Sequence, residues 1–413
     1  MKENARHPCF DPAASATSAR VHLPVARACN MRCGYCNGAD DCANESRPGL
    51  TSAVLTPYQA VEYLGKVMER SPVTVAGIAG PGDPFAEPAR TLETLALVKE
   101  RFPDLLLCVA TNGLDLAENV DELASIGVSH VTVTVSSVDP RIGAMMYEWI
   151  RSGPYRHSGI EAALTLFERQ DKAIRALKAK GMTVKLNTVV VPGVNDKHVA
   201  SVAVKAREWG VDYMNCMALI PVPGSRFQDR PSPSHEEMAM HRMAAGAFVK
   251  QMGHCRRCRA DAAGLLDEAQ SNGAADLLRE AAGAPSKPDD GRVRLAVASR
   301  EGAMVSSHLG ECREFIIYEP GDEGYRRVEI RRAPDPGSEQ RWAKLAETLS
   351  DCFLVLASGA GKNPTEELGQ AGIEVSVVEG MIDEVLAAVA RGRGLAGFRR
   401  LKAGACRGGG GGC

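Results

Sequence analysis

The sequence predicts an α/β protein in which an open, partial barrel of six βα units precedes a smaller α/β domain. Three observations support this prediction. Apolar, β-rich runs alternate with helical stretches from about residue 20 to about residue 260. A Gly-, Pro-, Ser- and Asp-rich stretch then breaks the pattern, and a shorter set of strands and helices follows it.

Six apolar runs form the predicted parallel strands of the barrel. They lie at 21–26, 73–79, 105–110, 130–136, 184–191 and 213–220. Stretches with a helical period separate them, at 88–101, 119–126, 159–180 and 196–209. Six units of this kind suit a barrel that does not close.

The chain divides into five predicted segments. These are an N-terminal arm (1–20), the barrel domain (21–283), a linker (284–291), a second domain (292–395) and a tail (396–413). In the second domain, strands are predicted at 292–299, 314–319, 325–331 and 352–357, and helices at 339–349 and 381–391. The tail includes five consecutive glycines, which bury too little surface to offset their ordering entropy, and is predicted to be disordered.

Composition excludes some classes of function. The formal charge of −2 argues against nucleic acid as the main partner, because phosphate binding requires a surplus of Lys and Arg. The sequence shows neither a signal-peptide pattern nor an apolar run of about 18 residues, so we expect a cytoplasmic protein that does not span a membrane. In that reducing compartment, the 13 cysteines are not expected to form disulfides, and those grouped at ligand spacing are expected to be metal ligands or reactive thiols.

Three cysteines with CxxxCxxC spacing follow the first strand in a predicted loop: Cys29, Cys33 and Cys36. Three thiolates this close bind three irons of a [4Fe-4S] cluster and leave the fourth iron without a protein ligand. S-adenosylmethionine (SAM) chelates such an iron, receives an electron and yields a 5′-deoxyadenosyl radical. Tyr35, directly before the third cysteine, is typical of the radical SAM pattern. The alternative is a zinc site, which requires a fourth Cys or His.

Polar residues and glycines at the ends of later strands are the predicted SAM contacts. In a βα barrel, sites lie at these carboxyl ends. The glycines of the sequence AGPGDP (79–84) would let the backbone approach SAM closely. The alternative for each of these positions is an ordinary turn. The predicted cofactor-binding residues are Gly80, Gly82, Asp83, Thr111, Asn112, Ser136 and Asn187.

Further thiols and one imidazole exceed what a single radical SAM cluster needs. They are His7, Cys9, Cys42, Cys108, Cys255 and Cys258. Arginines beside the last two cysteines would balance the charge of an anionic cluster. The alternatives are a buried, apolar role for Cys108, a solvated His7 and a zinc-binding or chance CxxC pair.

Five motifs in order resemble the NifB family, radical SAM maturases of the nitrogenase iron-molybdenum cofactor. They are His7-Pro-Cys9, the cysteine motif continuing into DCANESRPG (41–49), AGPGDP, TNG (111–113) and CRRCRADA (255–262). The resemblance covers about residues 5–265. It implies an enzyme that fuses two [4Fe-4S] clusters, with a SAM-derived carbon and an extra sulfur, into an eight-iron cofactor precursor.

The resemblance also implies roles for individual residues. Cys29, Cys33 and Cys36 would hold the SAM cluster, and the six further ligands would hold the two substrate clusters, in a division that remains open. Glu45 would be a labile ligand or proton carrier and Arg47 a charge partner, with a loop salt bridge as the alternative. The implied partners are Fe-S cluster donor proteins, an electron donor such as ferredoxin or flavodoxin, and downstream cofactor carriers or scaffolds.

The second domain resembles the NifX/NafY-type cofactor-binding domains. The resemblance rests on the strand at 293–299, VSSHLG (305–310) and FIIY (315–318). It implies a ribonuclease-H-like fold that holds or passes on the cluster product, with His308 as the candidate ligand. The alternative is that His308, like most isolated histidines, is structural.

Two other functions are compatible with the motifs. One is a different multi-cluster radical SAM enzyme that acts on an organic substrate, and the other is a non-enzymatic Fe-S scaffold. A scaffold would not need SAM, so perturbation of one cluster's spectrum by SAM separates an enzyme from a scaffold.

Overall fold

A computed structural model of the chain describes residues 7–39, 41–42, 51–153, 155–253, 255, 259–265, 273–284, 292–321, 324–390 and 395–398. Its contacts divide the chain into two units, Met1–Lys287 and Pro288–Cys413. Each unit has its own hydrophobic core. Across the described ranges, every helix is too short or too polar to cross a lipid bilayer.

The first unit is built on a parallel sheet. Its strands are β1 (Ala19–His22), β2 (Met31–Cys33), β3 (Val73–Ile78), β4 (Leu106–Thr111), β5 (Val128–Thr134), β6 (Tyr147–Ser152), β7 (Tyr155–His157), β8 (Thr183–Val190), β9 (Tyr213–Ala218) and β10 (Ala263–Gly264). Six of them are parallel in the order β1-β3-β4-β5-β8-β9, and β10 pairs antiparallel with β1. The predicted partial barrel of six βα units is confirmed.

Helices connect these strands. They are α1 (Pro12–Ser15), α2 (Pro57–Met68), α3 (Pro88–Arg101), α4 (Val120–Ile126), α5 (Pro140–Met146), α6 (Gly159–Ala179), α7 (Val199–Glu208), α8 (His235–Gly246) and α9 (Ala274–Gly283). Local sequence explains where α2 starts: Thr56 and Gln59 form a capping box around Pro57 at the first helical position.

Two details near the cysteine motif differ from prediction. The first strand ends at His22, before Pro24, whose nitrogen carries no hydrogen for a ladder bond. The predicted loop is wrong for Met31–Cys33, which forms β2 and pairs antiparallel with β6. Strands β6 and β7 complete this small three-stranded sheet. The cysteine motif is therefore supported by a hairpin that lies more than a hundred residues later in the chain.

Strand register separates the two faces of the parallel sheet. His22, Gly77, Cys108 and His130 are successive partners across β1, β3, β4 and β5, so they point to the same face. Alternation places the intervening apolar residues on the opposite face, where they pack in the main core with the helices. One face is therefore polar and the other hydrophobic.

The second unit contains a five-stranded mixed sheet. Its elements are β11 (Arg294–Ala298), β12 (Glu314–Gly321), β13 (Gly324–Arg332), α10 (Arg341–Thr348), β14 (Cys352–Ala357), α11 (Lys362–Gln370), β15 (Glu374–Val377) and α12 (Ile382–Ala390). The strand order is β13-β12-β11-β14-β15, with β12 antiparallel to both of its neighbours. This topology agrees with the predicted ribonuclease-H-like fold.

The fold of the second unit continues past the predicted boundary at residue 395. Leu395–Phe398 forms a short 3-10 helix, and the backbone N–H of Glu379 donates to the carbonyl of Phe398 at 2.7 Å. The predicted disordered tail from residue 396 is therefore too long at its start. Its remainder, residues 399–413, lies outside the described residues.

Candidate functional site

One pocket of about 440 Å³ brings the cysteine motif together in the first unit. Four cysteines line it: Cys29, Cys33, Cys36 and Cys42. Pro81 and Gly82, which follow β3, also line it, so the pocket lies at the carboxyl end of the sheet. The structure thus places Cys42, predicted as a substrate-cluster ligand, beside the three predicted ligands of the SAM cluster.

The backbone around Cys33 has little freedom. Strand β2 holds Cys33, and the N–H of Gly34 donates to the carbonyl of Met146 at 2.8 Å. A side chain at Gly34 would come within 2.8 Å of the Phe227 ring, so this position requires glycine. Contacts with residues far along the chain therefore fix the conformation of the cysteine motif, in addition to the spacing of its cysteines.

Tyr35 lies behind the thiol of Cys33. It is 1% exposed, and its hydroxyl hydrogen-bonds with the Cys33 thiol and with Ser136. Burial, followed by the nearby Cys33 and Tyr147, raises the pKa of Tyr35 well above its usual range, so the hydroxyl stays protonated. Tyr35 can therefore donate a hydrogen bond to a Cys33 thiolate.

The turn after β3 packs directly against the cysteine motif. The N–H of Gly82 donates to the Ala26 carbonyl at 2.5 Å, and the N–H of Asp83 donates to the Ala28 carbonyl at 2.7 Å. A β-carbon on Gly82 would lie only 2.0 Å from the Ala28 oxygen. Gly82 therefore permits this backbone contact, while it also lines the pocket. Gly80, the other predicted glycine, has φ = 142° and precedes a cis peptide bond to Pro81.

The Asp83 carboxylate joins this turn to the next one. Its oxygens accept hydrogen bonds from the Thr111 hydroxyl at 3.0 Å and from the Asn112 N–H at 2.6 Å. Burial raises the pKa of Asp83 to about 6, against these hydrogen bonds, which lower it. Asn112 in turn donates to the Asn30 side chain at 2.7 Å, and its nitrogen is 4.0 Å from the Cys29 sulfur.

The other predicted SAM contacts lie deeper in the protein. Ser136 is fully buried, and its hydroxyl accepts from the backbone N–H of Val189 at 3.2 Å. Asn187 is 2% exposed and accepts from the Asn215 side chain at 3.2 Å. Among the seven predicted cofactor-binding residues, Gly82 lines the pocket, whereas Asp83, Thr111 and Asn112 form the bonded layer beneath it.

Several histidine and cysteine side chains lie close together on the polar face of the sheet. The His7 ring packs against the rings of His130 and Phe10, with centroids 4.5 and 4.6 Å apart. A β-carbon on Gly77 would lie 2.6 Å from the Cys108 sulfur and 3.6 Å from Cδ2 of His22. The thiol and the His22 imidazole therefore both reach the space that this glycine leaves.

Sequence reasoning missed His22 and His130. Each lies in an apolar run, and their shared face with Cys108 follows only from the pairing of separate strands. Burial lowers the pKa of both imidazoles to about 4, and it lowers the pKa of His7 well below its usual range. All three are neutral at neutral pH, the form in which an imidazole binds a metal.

His7 itself is predicted as a ligand and is 1% exposed. Its Nδ1 accepts a hydrogen bond from the Cys9 N–H at 3.2 Å. Its Nε2 is buried with no hydrogen-bond partner within the described ranges. A buried polar nitrogen without a partner is costly, and a bound ligand would remove that cost. Cys9 packs beside Phe10, Tyr213 and Met252.

The segment containing the CxxC pair also contacts this face. The carbonyl of Arg259 accepts from Nδ1 of His22 at 2.9 Å, and the Cys255 sulfur lies 3.3 Å from the Asn215 amide nitrogen. Cys258, the second cysteine of the pair, lies outside the described residues.

Asp41 and Thr51 are hydrogen-bonded to each other. The Asp41 carboxylate accepts from the N–H and the hydroxyl of Thr51, at 3.0 and 2.8 Å. Residues 43–50 between these positions, including the predicted Glu45 and Arg47, lie outside the described residues. The chain therefore leaves the pocket at Cys42 and returns to it at Thr51, since both residues line it.

In the second unit, His308 is exposed beside Gly359. A β-carbon on Gly359 would lie 2.5 Å from Cδ2 of His308, and the N–H of Gly310 donates to Nδ1 at 3.0 Å. These contacts hold the ring in one orientation. Cys312 is buried, burial raises its pKa to about 11, and its thiol donates to the Glu314 carbonyl at 2.9 Å. Cys312 is therefore a structural thiol.

Within the part of the chain that the structure describes, no three His, Cys, Asp or Glu side chains are arranged around a single metal ion. A zinc ion would require four such ligands at about 2.0–2.3 Å. A four-iron cluster instead spreads its ligands over separate irons. Three cysteines around one pocket suit that larger group.

Family models match both units. The radical SAM superfamily model matches residues 23–205, and the dinitrogenase iron-molybdenum cofactor model matches residues 291–392. The chain is therefore a radical SAM protein with a second domain that matches the dinitrogenase iron-molybdenum cofactor family. The sequence prediction of both domain types is confirmed.

Curated relatives match nearly the whole chain. FeMo cofactor biosynthesis protein NifB from Chlorobaculum tepidum is 44% identical over 393 residues, which cover 94% of this chain and 93% of that protein. NifB from Klebsiella pneumoniae is 40% identical over 407 residues, covering 90% and 87%. The crystal structure of Streptococcus suis SuiB bound to S-adenosylmethionine matches with a TM-score of 0.43 and 14% identity, over 57% of this chain and 50% of that one.

Proposed function

The chain belongs to the NifB family of FeMo cofactor biosynthesis proteins, and on that premise we propose that it is the cytoplasmic enzyme that builds the eight-iron precursor. It fuses two [4Fe-4S] clusters with a carbon from a SAM methyl group and an additional sulfur. One SAM molecule donates the methyl group, and a second provides the radical that abstracts hydrogen from it.

The shared pocket of Cys29, Cys33, Cys36 and Cys42 is the observation that carries this proposal. The first three cysteines hold a [4Fe-4S] cluster whose open iron binds SAM. When bound there, the cluster supplies the electron that cleaves SAM. Cys42, on the wall of the same pocket, holds part of a substrate cluster close to the site where the radical forms.

Residues beneath the pocket orient these ligands. Tyr35 hydrogen-bonds to Cys33 from the buried side. The Asp83 carboxylate holds the turns of Gly82 and Asn112 in place, and Gly82 keeps its turn close to Ala28. A rigid layer of this kind keeps reacting atoms in register, which is worth orders of magnitude in rate.

The polar face of the sheet supplies part of the ligand set for the substrate clusters, and Cys42 adds a ligand from the pocket. We assign His7, Cys9, Cys42, Cys108, Cys255 and Cys258 to the two clusters together, as the resemblance implies. The neutral His22 beside Cys108 adds an imidazole to this site. With few protein ligands for each cluster, the fused product can leave.

The second domain holds or passes on the product, with the exposed His308 as its ligand. Glu45 acts as a labile ligand or proton carrier, and Arg47 as its charge partner. The partners are Fe-S cluster donors, a reductant such as ferredoxin or flavodoxin, and downstream cofactor carriers.

The substitution Cys33→Ala tests the proposal. We expect it to abolish reductive SAM cleavage, measured as 5′-deoxyadenosine formed anaerobically, while iron remains at the other sites. Cys312→Ala, which removes a structural thiol of the second unit, is the control. The wild-type protein should carry about twelve irons per chain, from three cubane clusters. Only about four irons, or full SAM cleavage by the Cys33 variant, would overturn the proposal.

A further inference from the structure

Cys255 lies next to a buried amide on the last strand of the barrel. The side-chain nitrogen of Asn215, on β9, is 3.3 Å from the Cys255 sulfur. Asn215 is 3% exposed, so its amide cannot exchange this partner freely for water. A buried N–H that faces the sulfur fixes the position of that sulfur, and hydrogen bonds to charged acceptors, such as a metal-bound sulfur, are the stronger ones.

The Asn215 amide is itself held in place. Asn187 and Asn215 are direct partners in the register of β8 and β9, so their side chains lie side by side on the polar face. The Asn187 carbonyl oxygen accepts from the Asn215 nitrogen at 3.2 Å. An amide nitrogen has two hydrogens, and one directed to Asn187 leaves the other for Cys255.

The chain just before Cys255 is anchored to the same strand. The N–H of Met214 donates to the Lys250 carbonyl at 2.8 Å, and the N–H of Met252 donates to the Met214 carbonyl at 2.9 Å. These bonds bring the segment along β9 and end three residues before Cys255. Beyond these bonds, the side chain of Asn215 contacts the Cys255 thiol itself.

We propose that Asn215 is a positioning residue that directs the Cys255 thiolate toward the bound cluster through its amide N–H, which Asn187 orients. The inference rests on the proposed role of Cys255 as a substrate-cluster ligand. An N–H donor on a ligand sulfur withdraws charge from the Fe–S bond and changes the properties of the cluster.

The test uses full-length protein with Cys29, Cys33 and Cys36 all replaced by Ala, reconstituted anaerobically with iron and sulfide. This background removes the SAM cluster and leaves the substrate clusters to be observed. Asn215→Asp keeps the shape but places a carboxylate against the thiolate, and Asn215→Ala removes the amide. Asn119→Asp is the matched control, because that amide donates to the nearby Asp115 carbonyl and not to a cysteine within the described residues.

We expect both Asn215 variants to lose iron to a chelator about tenfold faster, since one hydrogen bond to a charged group is worth about 1.5 kcal/mol or more. The EPR g-values of the reduced cluster should also shift, which a purely structural role would not cause. In a Cys255→Ala background, the Asn215 substitutions should have no further effect on either measurement. Thermal unfolding monitored by circular dichroism checks that the variants fold.

Unchanged iron release and an unchanged EPR spectrum in both Asn215 variants would overturn the inference. So would an effect of equal size in the Cys255→Ala background. If Cys255→Ala alone keeps its full iron content, Cys255 is not a cluster ligand, and this inference fails as well. Loss of iron in Cys255→Ala without any response to Asn215 substitution leaves the proposed function intact and removes only the role of Asn215.

Discussion

The carboxylate of Asp83 accepts a hydrogen bond from the backbone N–H of Asn112 at 2.6 Å, which ties the turn after β3 to the turn after β4. The first turn packs on the cysteine motif through Gly82, and the second reaches Asn30 through the Asn112 side chain. One buried carboxylate thus connects three loops at the carboxyl end of the sheet. This arrangement predicts a specific dependence of stability on pH.

Burial raises the pKa of Asp83 from 3.8 to about 6 in the folded protein. Between about pH 4 and pH 7 the folded state binds this proton more tightly than the unfolded chain, so rising pH lowers the free energy of unfolding by roughly 2 kcal/mol. Asp83→Asn lacks this titration. The free energy of unfolding of Asp83→Asn minus that of wild type should therefore increase by that amount from pH 4 to pH 7.

Urea unfolding of the metal-free protein at both pH values measures this difference. Replacing the exposed Asp229 with Asn serves as the control and should leave the pH dependence unchanged. The same pH dependence in wild type and Asp83→Asn would contradict the prediction.

Gly82→Ala should disrupt the SAM cluster. Its β-carbon would lie 2.0 Å from the Ala28 oxygen, a backbone atom that can move only with the cysteine motif. We expect a loss of about four irons per chain and no SAM cleavage. Gly283→Ala is the matched control, because Gly283 ends α9 and, among the residues that the structure describes, no atom lies within 4 Å of the added carbon. A Gly82 variant with full iron content would show that the motif tolerates the shift.

Gly77→Ala should affect the substrate-cluster site around Cys108 and not the SAM cluster. The new methyl group would lie 2.6 Å from the Cys108 sulfur and must displace it. We therefore expect iron loss from a substrate cluster, while the SAM cluster and its cleavage of SAM are kept. Iron counting and 5′-deoxyadenosine assays on the same preparation separate the two effects. Equal loss of both would mean that Gly77 supports the whole barrel rather than this site.

A truncated protein should keep its SAM cleavage and stability only if the deletion begins after α9. Gln59 of α2 donates to the carbonyls of Ala282 and Ala284, and α9 buries Leu277 and Leu278 in the core of the first unit. Removal of residues 288–413 should preserve SAM cleavage and precursor synthesis and impair only transfer or storage. Removal of residues 274–413 should also destabilise the first unit by roughly 3 kcal/mol or more, because its core loses the burial that Leu277 and Leu278 provide.

Thermal unfolding and SAM cleavage of the two truncated proteins measure this difference. Loss of SAM cleavage in the 288–413 deletion would show that the first unit depends on the second.

The sequence by itself determined the features that depend on local order. The spacing of Cys29, Cys33 and Cys36 indicates an open-iron cluster, and alternating apolar runs predict the six parallel strands, because both signals lie within short stretches of chain. The motif order also identified the family. Even there, Pro24 ended the first strand early, which the apolar run alone did not reveal.

Only the tertiary structure decided which distant residues share a site. Cys42 joins the pocket of the cysteine motif, His22 and His130 share a face with Cys108, and Asn215 meets Cys255. For the residues in strands the physical reason is register: a shift of one residue would turn His22, His130 or Asn215 to the opposite face of the sheet. Register is set by packing across strands far apart in the chain, so no single stretch of sequence contains it.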